Sequence, residues 1–287
     1  MTEWRPTAGS WHRRYVIPLA LIVITLAGSI AAAQRIWVGR GRFGRTPPKW
    51  ATPADFDGSF LYCRGFYTSA YREAGGTGWW TDYPGADNNF SVRLAELTRV
   101  HVKLDQERQP NYVVVRLTDP NLFRCPMLFM EDVGTARFAE AEVESLRSYF
   151  LKGGFLWVDD FWGSRAWENW SREIGRVLNP AEYPIQDVVP GDPILHSLYD
   201  VKQPLQVSSI QFWRFNGGRV SERGQDSAEV HYRAIRDPGG RVMVMMTHNT
   251  DVADTWEREG ENQDYFDKFS PAGYAIGVNI VLYAMTH

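Results

Sequence analysis

Cysteine is nearly missing from this sequence: Cys63 and Cys125 are the two present in 287 residues. Neither belongs to a Cys-x-x-Cys pair, which excludes a zinc ribbon. Their spacing leaves two readings open. Two buried free thiols are favoured by how often cysteine is buried; a bridge formed in an oxidising compartment is the other. An excess of positive charge is missing too. The chain has 31 basic and 34 acidic residues, a formal net charge of −3, which argues against nucleic acid as a partner. There is no Gly-x-Ser-x-Gly elbow to seat a serine nucleophile. The segment Gly75-Gly76-Thr77-Gly78-Trp79-Trp80 lacks the Gly-Lys-Ser/Thr of a phosphate loop, and no Gly-x-Gly-x-x-Gly follows the first apolar run. It reads as a flexible turn, and no motif requires a cofactor.

What is present is apolar and aromatic. With 44% hydrophobic residues the chain can bury a sizeable core. Its 12 tryptophans belong mostly in that core or in pocket walls, with stacking on sugar rings as the exposed alternative. Charge is uneven. Before residue 50, Arg5, Arg13, Arg14, Arg35, Arg40, Arg42, Arg45 and Lys49 stand against Glu3, so the remainder is distinctly acidic.

Residues 1–14 form a basic segment, and Tyr15 to Gln34 carry no charge. Twenty helical residues rise about 30 Å, enough to cross a bilayer core. A transmembrane anchor and a cleavable export signal, with Arg13-Arg14 ahead of the apolar run and Ala31-Ala32-Ala33 behind it, fit about equally. Either places the globular part outside the cytoplasm, in the cell envelope, where other envelope proteins are candidate partners. Residues 35–58, rich in Gly, Arg and Pro, read as a linker, and a single domain is expected over 59–287.

Strands are expected at 59–67, 111–117, 126–130 and 155–158, with a helix from about Phe90 to Arg99 capped from Asp87, Asn88 or Asn89. Phe155-Leu156-Trp157-Val158 is apolar on both faces, as a central parallel strand is when helices cover both sides. A helix precedes it, and one capped by Ser164 follows, so 126–178 is a β-α-β-α unit of a doubly wound α/β fold. Beyond Asn179, strands are expected at 211–215, 230–237 and 241–249. Ser270-Pro271 is expected to open a last, buried helix. The acidic stretch from Trp256 to Asp267 reads as a solvated helical segment, with a lid as the alternative.

Three strands run into polar clusters: Glu131-Asp132, Asp159-Asp160, and His248-Asn249-Thr250-Asp251 with Asp254 beyond. Parallel neighbours would gather these at the carboxyl edge, where open α/β sheets bind ligands. Each pair alone is more simply a helix cap; the set favours a site. Asp159, Asp160 and His248 are the candidate acid–base residues. Arg64, Asp82, Trp162, Asn249 and Asp251 are candidate ligand contacts. Clustered carboxylates raise one another's pKa and suit acid–base hydrolysis, or hold Mg²⁺ or Ca²⁺ through oxygen.

Longer motifs carry a resemblance. CRGFYTS, TDYPGADNNF, VVRLTDPNLF, LKGGFLWVDDFWG, QFWRFNGG, THNTDVADTWEREGE and FSPAGYAIGVN resemble the bacterial domain of unknown function 4159 family over about 59–287. The resemblance implies a flavodoxin-like, mostly parallel sheet similar to class I glutamine amidotransferases, and no reaction. In those enzymes a nucleophilic cysteine occupies the turn that here reads Asp159-Asp160-Phe161-Trp162-Gly163, so glutaminase chemistry is expected to be lost. Three functions remain: an envelope domain that binds a polar ligand, an acid–base hydrolase acting on an envelope glycan, or a non-catalytic subunit of a membrane-associated assembly.

Overall fold

The computed structural model describes residues 46–73 and 75–287, so the expected membrane or signal segment 15–34 lies outside the described residues. Among those described, no helix is long and apolar enough to cross a membrane. The compact unit runs from Pro48 to His287. It includes part of the expected linker, because Trp50 bridges Val114 and Ala51 N donates to Val114 O at 3.0 Å, extending the sheet edge.

Among the described residues nine strands form: β1 (Tyr62–Phe66), β2 (Thr68–Ser69), β3 (Tyr112–Arg116), β4 (Leu128–Glu131), β5 (Ala136–Arg137), β6 (Leu156–Phe161), β7 (Ile185–Asp187), β8 (His231–Arg236) and β9 (Val242–His248). Seven make one sheet in the order β3-β1-β4-β6-β9-β8-β7. The first five are mutually parallel, and β8 and β7 extend the sheet antiparallel beyond β9. Taken in chain order, the parallel five run 2-1-3-4-5, the flavodoxin-like doubly wound arrangement.

Helices cover both faces, as the apolar central strands require. On one face α2 (Glu140–Leu151) and α3 (Gly163–Val177) bury Val143, Leu146, Phe150, Trp170 and Ile174 against Cys63, Leu128, Met130 and Val158. On the other, α1 (Gly85–Leu97) and α6 (Gln263–Thr286) bury Phe90, Leu94, Ile276 and Ile280 against Tyr62, Phe129 and Trp157. Two short helices, α4 (Ile210–Phe215) and α5 (Asp254–Glu257), complete the carboxyl edge.

Five expectations change. The aromatic run 211–215, strand-like by propensity, is helix α4: Ser209 Oγ accepts from Phe212 N, and Trp213 packs edge-on to Tyr265. Helix α1 begins before its expected caps, which puts Asp87 inside the first turn. Ser164 does not cap α3; Asn249 Oδ1 accepts from Gly163 N and Asp226 Oδ2 from Ser164 N, so the caps arrive from distant loops. Helix α6 starts at Gln263 under the Asn262 side chain and carries Pro271 internally, while the Ser270 hydroxyl bonds Thr255 O. Cys63 and Cys125 form a disulfide, so the free-thiol reading is replaced.

Candidate functional site

Strand alternation sorts the acidic pairs at the strand ends. Successive side chains point to opposite faces, so a residue two beyond an inward one shares its face. Glu131 follows Phe129, Asp159 follows Trp157 and Arg64 follows Tyr62, all three from the α1–α6 face. Glu131 and Asp159 are also direct register neighbours. The second member of each pair, Asp132 and Asp160, turns the other way. Each adopts a left-handed backbone, with φ of 51° in both. Asp82 and Asn249 share that conformation at 58° and 63°. It is uncommon outside glycine, though Asp and Asn tolerate it best.

The first members build a closed polar floor. Arg64 is fully buried; its Nε donates to Asp87 Oδ1 and Oδ2 at 3.0 and 3.1 Å, and its other nitrogens reach Asp87 and Glu131. Arg64 Nη1 also donates to Thr81 O at 2.9 Å, so the floor holds the Gly-rich loop from below. Burial pushes the Glu131 carboxyl up to about 8 despite the guanidinium beside it. Asp159 receives Ala253 N at 2.9 Å and faces the Thr247 hydroxyl at 2.5 Å, and burial lifts it to about 7.

The second members face a cleft of about 480 Å³ at the carboxyl edge. Its walls carry eight carboxyl groups, from Glu73, Asp82, Asp132, Asp160, Glu222, Asp251, Asp254 and Glu257, against the guanidiniums of Arg223 and Arg258. Trp80, Tyr83 and Trp162 add aromatic surface, and Trp162 Nε1 donates to Asp160 Oδ1 at 2.7 Å. The Gly-rich loop closes over Asp132. Gly78 N donates to Asp132 Oδ2 at 2.6 Å, and a Cβ at Gly76 would sit 2.3 Å from that oxygen, so only glycine permits the approach. Burial drives every carboxyl of this inner group upward: Asp132 and Asp254 to about 8, and Asp82, Asp160 and Asp251 well above the usual carboxylate range. Neighbouring carboxylates add to each shift.

Of the residues singled out in the sequence, the cleft therefore collects Asp82, Asp160, Trp162 and Asp251. Asp159 and Arg64 lie in the floor. His248 is packed between Phe161 and Trp167, its Nε2 is 3.2 Å from Gly163 O, and burial lowers its pKa to about 4. Asn249 is spent on the Gly163 N cap and on Glu229 O at 2.7 Å. Neither lines the cleft. Glu73 and Glu222 enter from loops with no sequence signal, whereas Glu257 ends α5 and belongs to the acidic stretch for which a lid was the alternative expectation. Asp132 had a signal, since it follows β4 as Asp160 follows the apolar part of β6. Among the described residues, Asp82, Asp254 and Glu257 bring one oxygen each within 4.8 Å of one another, a spacing that fits a metal ion.

Fold and cleft together define a doubly wound α/β domain with an acidic, aromatic-walled cleft at its carboxyl edge. The chain belongs to the domain of unknown function 4159 (DUF4159) family, whose model matches residues 68–285. No curated protein matches it.

Proposed function

We propose that this chain is a ligand-binding domain of the cell envelope, holding a polar ligand in the carboxyl-edge cleft and lacking amidotransferase activity. The observation that carries the reading is the cleft's lining: eight carboxyl groups, two guanidiniums and three aromatic side chains around one cavity. Aromatic faces cover the C–H surfaces of a ligand while carboxylates accept from its hydroxyl or amine donors. The strand order and the left-handed turn at Asp160 support kinship with the class I glutamine amidotransferase fold. That turn carries aspartate here, and both cysteines are joined to each other, so no thiol is left to act as nucleophile. The disulfide supports a location outside the cytoplasm. So does the order of Arg13-Arg14, apolar run and alanines, with residues 15–34 as anchor or signal.

The test is a thermal-shift screen of the full chain near pH 7 against neutral sugars, amino sugars and polyamines. One class should raise the midpoint by about 5–10 °C at a hundredfold excess over Kd. Asp160→Asn should lose the shift and keep its own midpoint. A flat screen, or a shift undiminished in the variant, removes the reading.

A second reading, acid–base hydrolysis of an envelope glycan, is favoured by one observation. Asp132 is buried near the Glu73 carboxyl, and burial together with that neighbouring charge raises its pKa to about 8, which makes it a proton donor beside other carboxylates. Release of reducing ends from isolated cell-wall glycan, abolished by Asp132→Asn, would establish it; no release at any pH from 4 to 8 would remove it.

A further inference from the structure

We propose that Asp82, Asp254 and Glu257 form a seat for one divalent cation, with Ca²⁺ the best fit, inside the acidic cleft. The inference rests on the reading of the cleft as a ligand site and makes the ion part of that site. Two oxygens bound to one Ca²⁺ at 2.3–2.6 Å lie no farther apart than about 5 Å, and the three oxygens here fall within 4.8 Å of one another. Each side chain has an oxygen to give. The bonds from Ile210 N and the Tyr265 hydroxyl both fall on Asp254 Oδ2. Arg258 Nε meets Glu257 at Oε2, 2.9 Å away.

The second observation does not depend on the count of acids. Asp82 Oδ2 is sealed from solvent and has no hydrogen-bond partner. Farther along the same cleft, Asp132 is 2% exposed, and its Oδ1 is likewise without a donor. A buried carboxylate oxygen without a donor is costly, and the cleft contains two. Arg258 is shared between Glu257 and Glu261, and one guanidinium does not balance Asp82, Asp254, Glu257 and the adjacent Asp251. A dication supplies the missing charge and partners at once.

Ca²⁺ suits the seat better than Mg²⁺. The ligands come from two separate segments, the loop before α1 and the α5 turn, an irregular set that tolerates six to eight oxygens at variable angles. Three side chains leave several coordination positions to water or to hydroxyl and carboxylate oxygens of a ligand. The ion would thus let an acidic cleft receive an oxygen-rich molecule.

The experiment uses the full chain stripped with EDTA and titrated with CaCl₂, then separately with MgCl₂, followed by thermal unfolding. Tb³⁺ emission excited through tryptophan is the direct probe, since Trp80 and Trp162 line the same cleft. About one equivalent of Ca²⁺ should raise the midpoint and quench Tb³⁺ emission by competition. Asp82→Asn with Glu257→Gln should unfold at the same or higher temperature without Ca²⁺, because like charges are removed, and lose both responses. Glu257→Gln alone, at a half-buried position, serves if the double variant does not fold. Absence of both responses in the unaltered chain overturns the proposal, and so does a response the variants leave intact. Loss of the ion with sugar or amine shifts retained removes the cation seat alone; loss of all responses removes the ligand site as well.

Discussion

Two regions meet at the carboxyl ends of β4 and β6 and treat acidic residues in opposite ways. In the floor, Asp87 and Glu131 share Arg64, while Asp159 is held by Ala253 N and the Thr247 hydroxyl. In the cleft, one residue further along each strand, Asp132 and Asp160 join Asp82, Asp251 and Asp254 with far fewer cations than carboxyls. Each floor carboxyl meets at least one donor inside the fold, Glu131 through Arg64 alone with its Oε1 left without one, and these contacts hold the structure together. The cleft's charges are left for protons or for a partner from outside. Proteins retain such an arrangement at functional sites, where perturbed carboxyls cluster in a concave surface.

Substitution should separate the regions. The largest effect is expected at Arg64. Arg64→Met leaves Asp87 and Glu131 buried without their counter-charge and should destabilise the fold by about 3–5 kcal/mol. Equilibrium urea unfolding measures it, and a loss under about 1 kcal/mol would mean that the floor is not the structural element described. Thr247→Val comes next. It removes the hydroxyl facing Asp159 and the acceptor of Trp157 Nε1 at 3.0 Å. The expected loss is about 1.5–3 kcal/mol, read by the same measurement.

The pH dependence spans both regions. Asp159 near 7, and Glu131, Asp132 and Asp254 near 8, all titrate above their unfolded values. Over roughly pH 4 to 8 the folded state therefore binds more protons than the unfolded chain, so stability falls as pH rises. His248 opposes this at the acid end. Burial keeps it neutral down to about 4, so its contribution grows with pH until its unfolded value near 6.5 and is constant above. Between pH 6.5 and 8 the carboxyl effect acts alone among these groups, and the ion-free chain should lose up to about 1.4 kcal/mol per pH unit for each carboxyl still protonated in the fold. Thermal midpoints at fixed ionic strength test this. Asp132→Asn should flatten the slope, and a midpoint that rises across the window would contradict the assignment of raised carboxyls.

Much of this arrangement could be read in the sequence, because parallel strands announce themselves. Phe155 to Val158 and Val242 to Met246 are apolar on both faces, and their polar ends mark the carboxyl edge. The sorting within each acidic pair follows from period-two alternation and was legible in principle: Asp159 continues the Trp157 face, Asp160 leaves it. Alternation also accounts for His248, which shares the Met246 face and is packed against Phe161. Contributions from loops were not legible. Glu73 and Glu222 reach the cleft through tertiary folding, and Asn249 is drawn into capping α3 by a contact 86 residues away. Helix α4 was hidden because aromatic residues favour strands, whereas a serine cap and packing on Tyr265 decided its form.

The smallest stability effect, and the sharpest test of the contrast, is expected at Asp160. Asparagine keeps the shape, tolerates a φ of 51° and can still accept from Trp162 Nε1. What it removes is an ionisable carboxyl facing Glu222 and Asp132, whose repulsion adds to burial in raising the Asp160 pKa and makes its ionisation costly. Asp160→Asn should therefore leave the ion-free chain unchanged or more stable by up to about 1 kcal/mol at pH 7.5, where the corresponding substitution in the floor would not. Asp160→Ala is the control for the backbone. It removes the same carboxyl but places alanine in the left-handed region, which costs about 1–2 kcal/mol. Urea unfolding of the two variants side by side separates charge from conformation: asparagine at or above the unaltered chain, alanine below it. If asparagine falls as far as alanine, the Asp160 carboxylate belongs with the floor as a structural acceptor, and the division between the two regions fails at the residue on which it depends most.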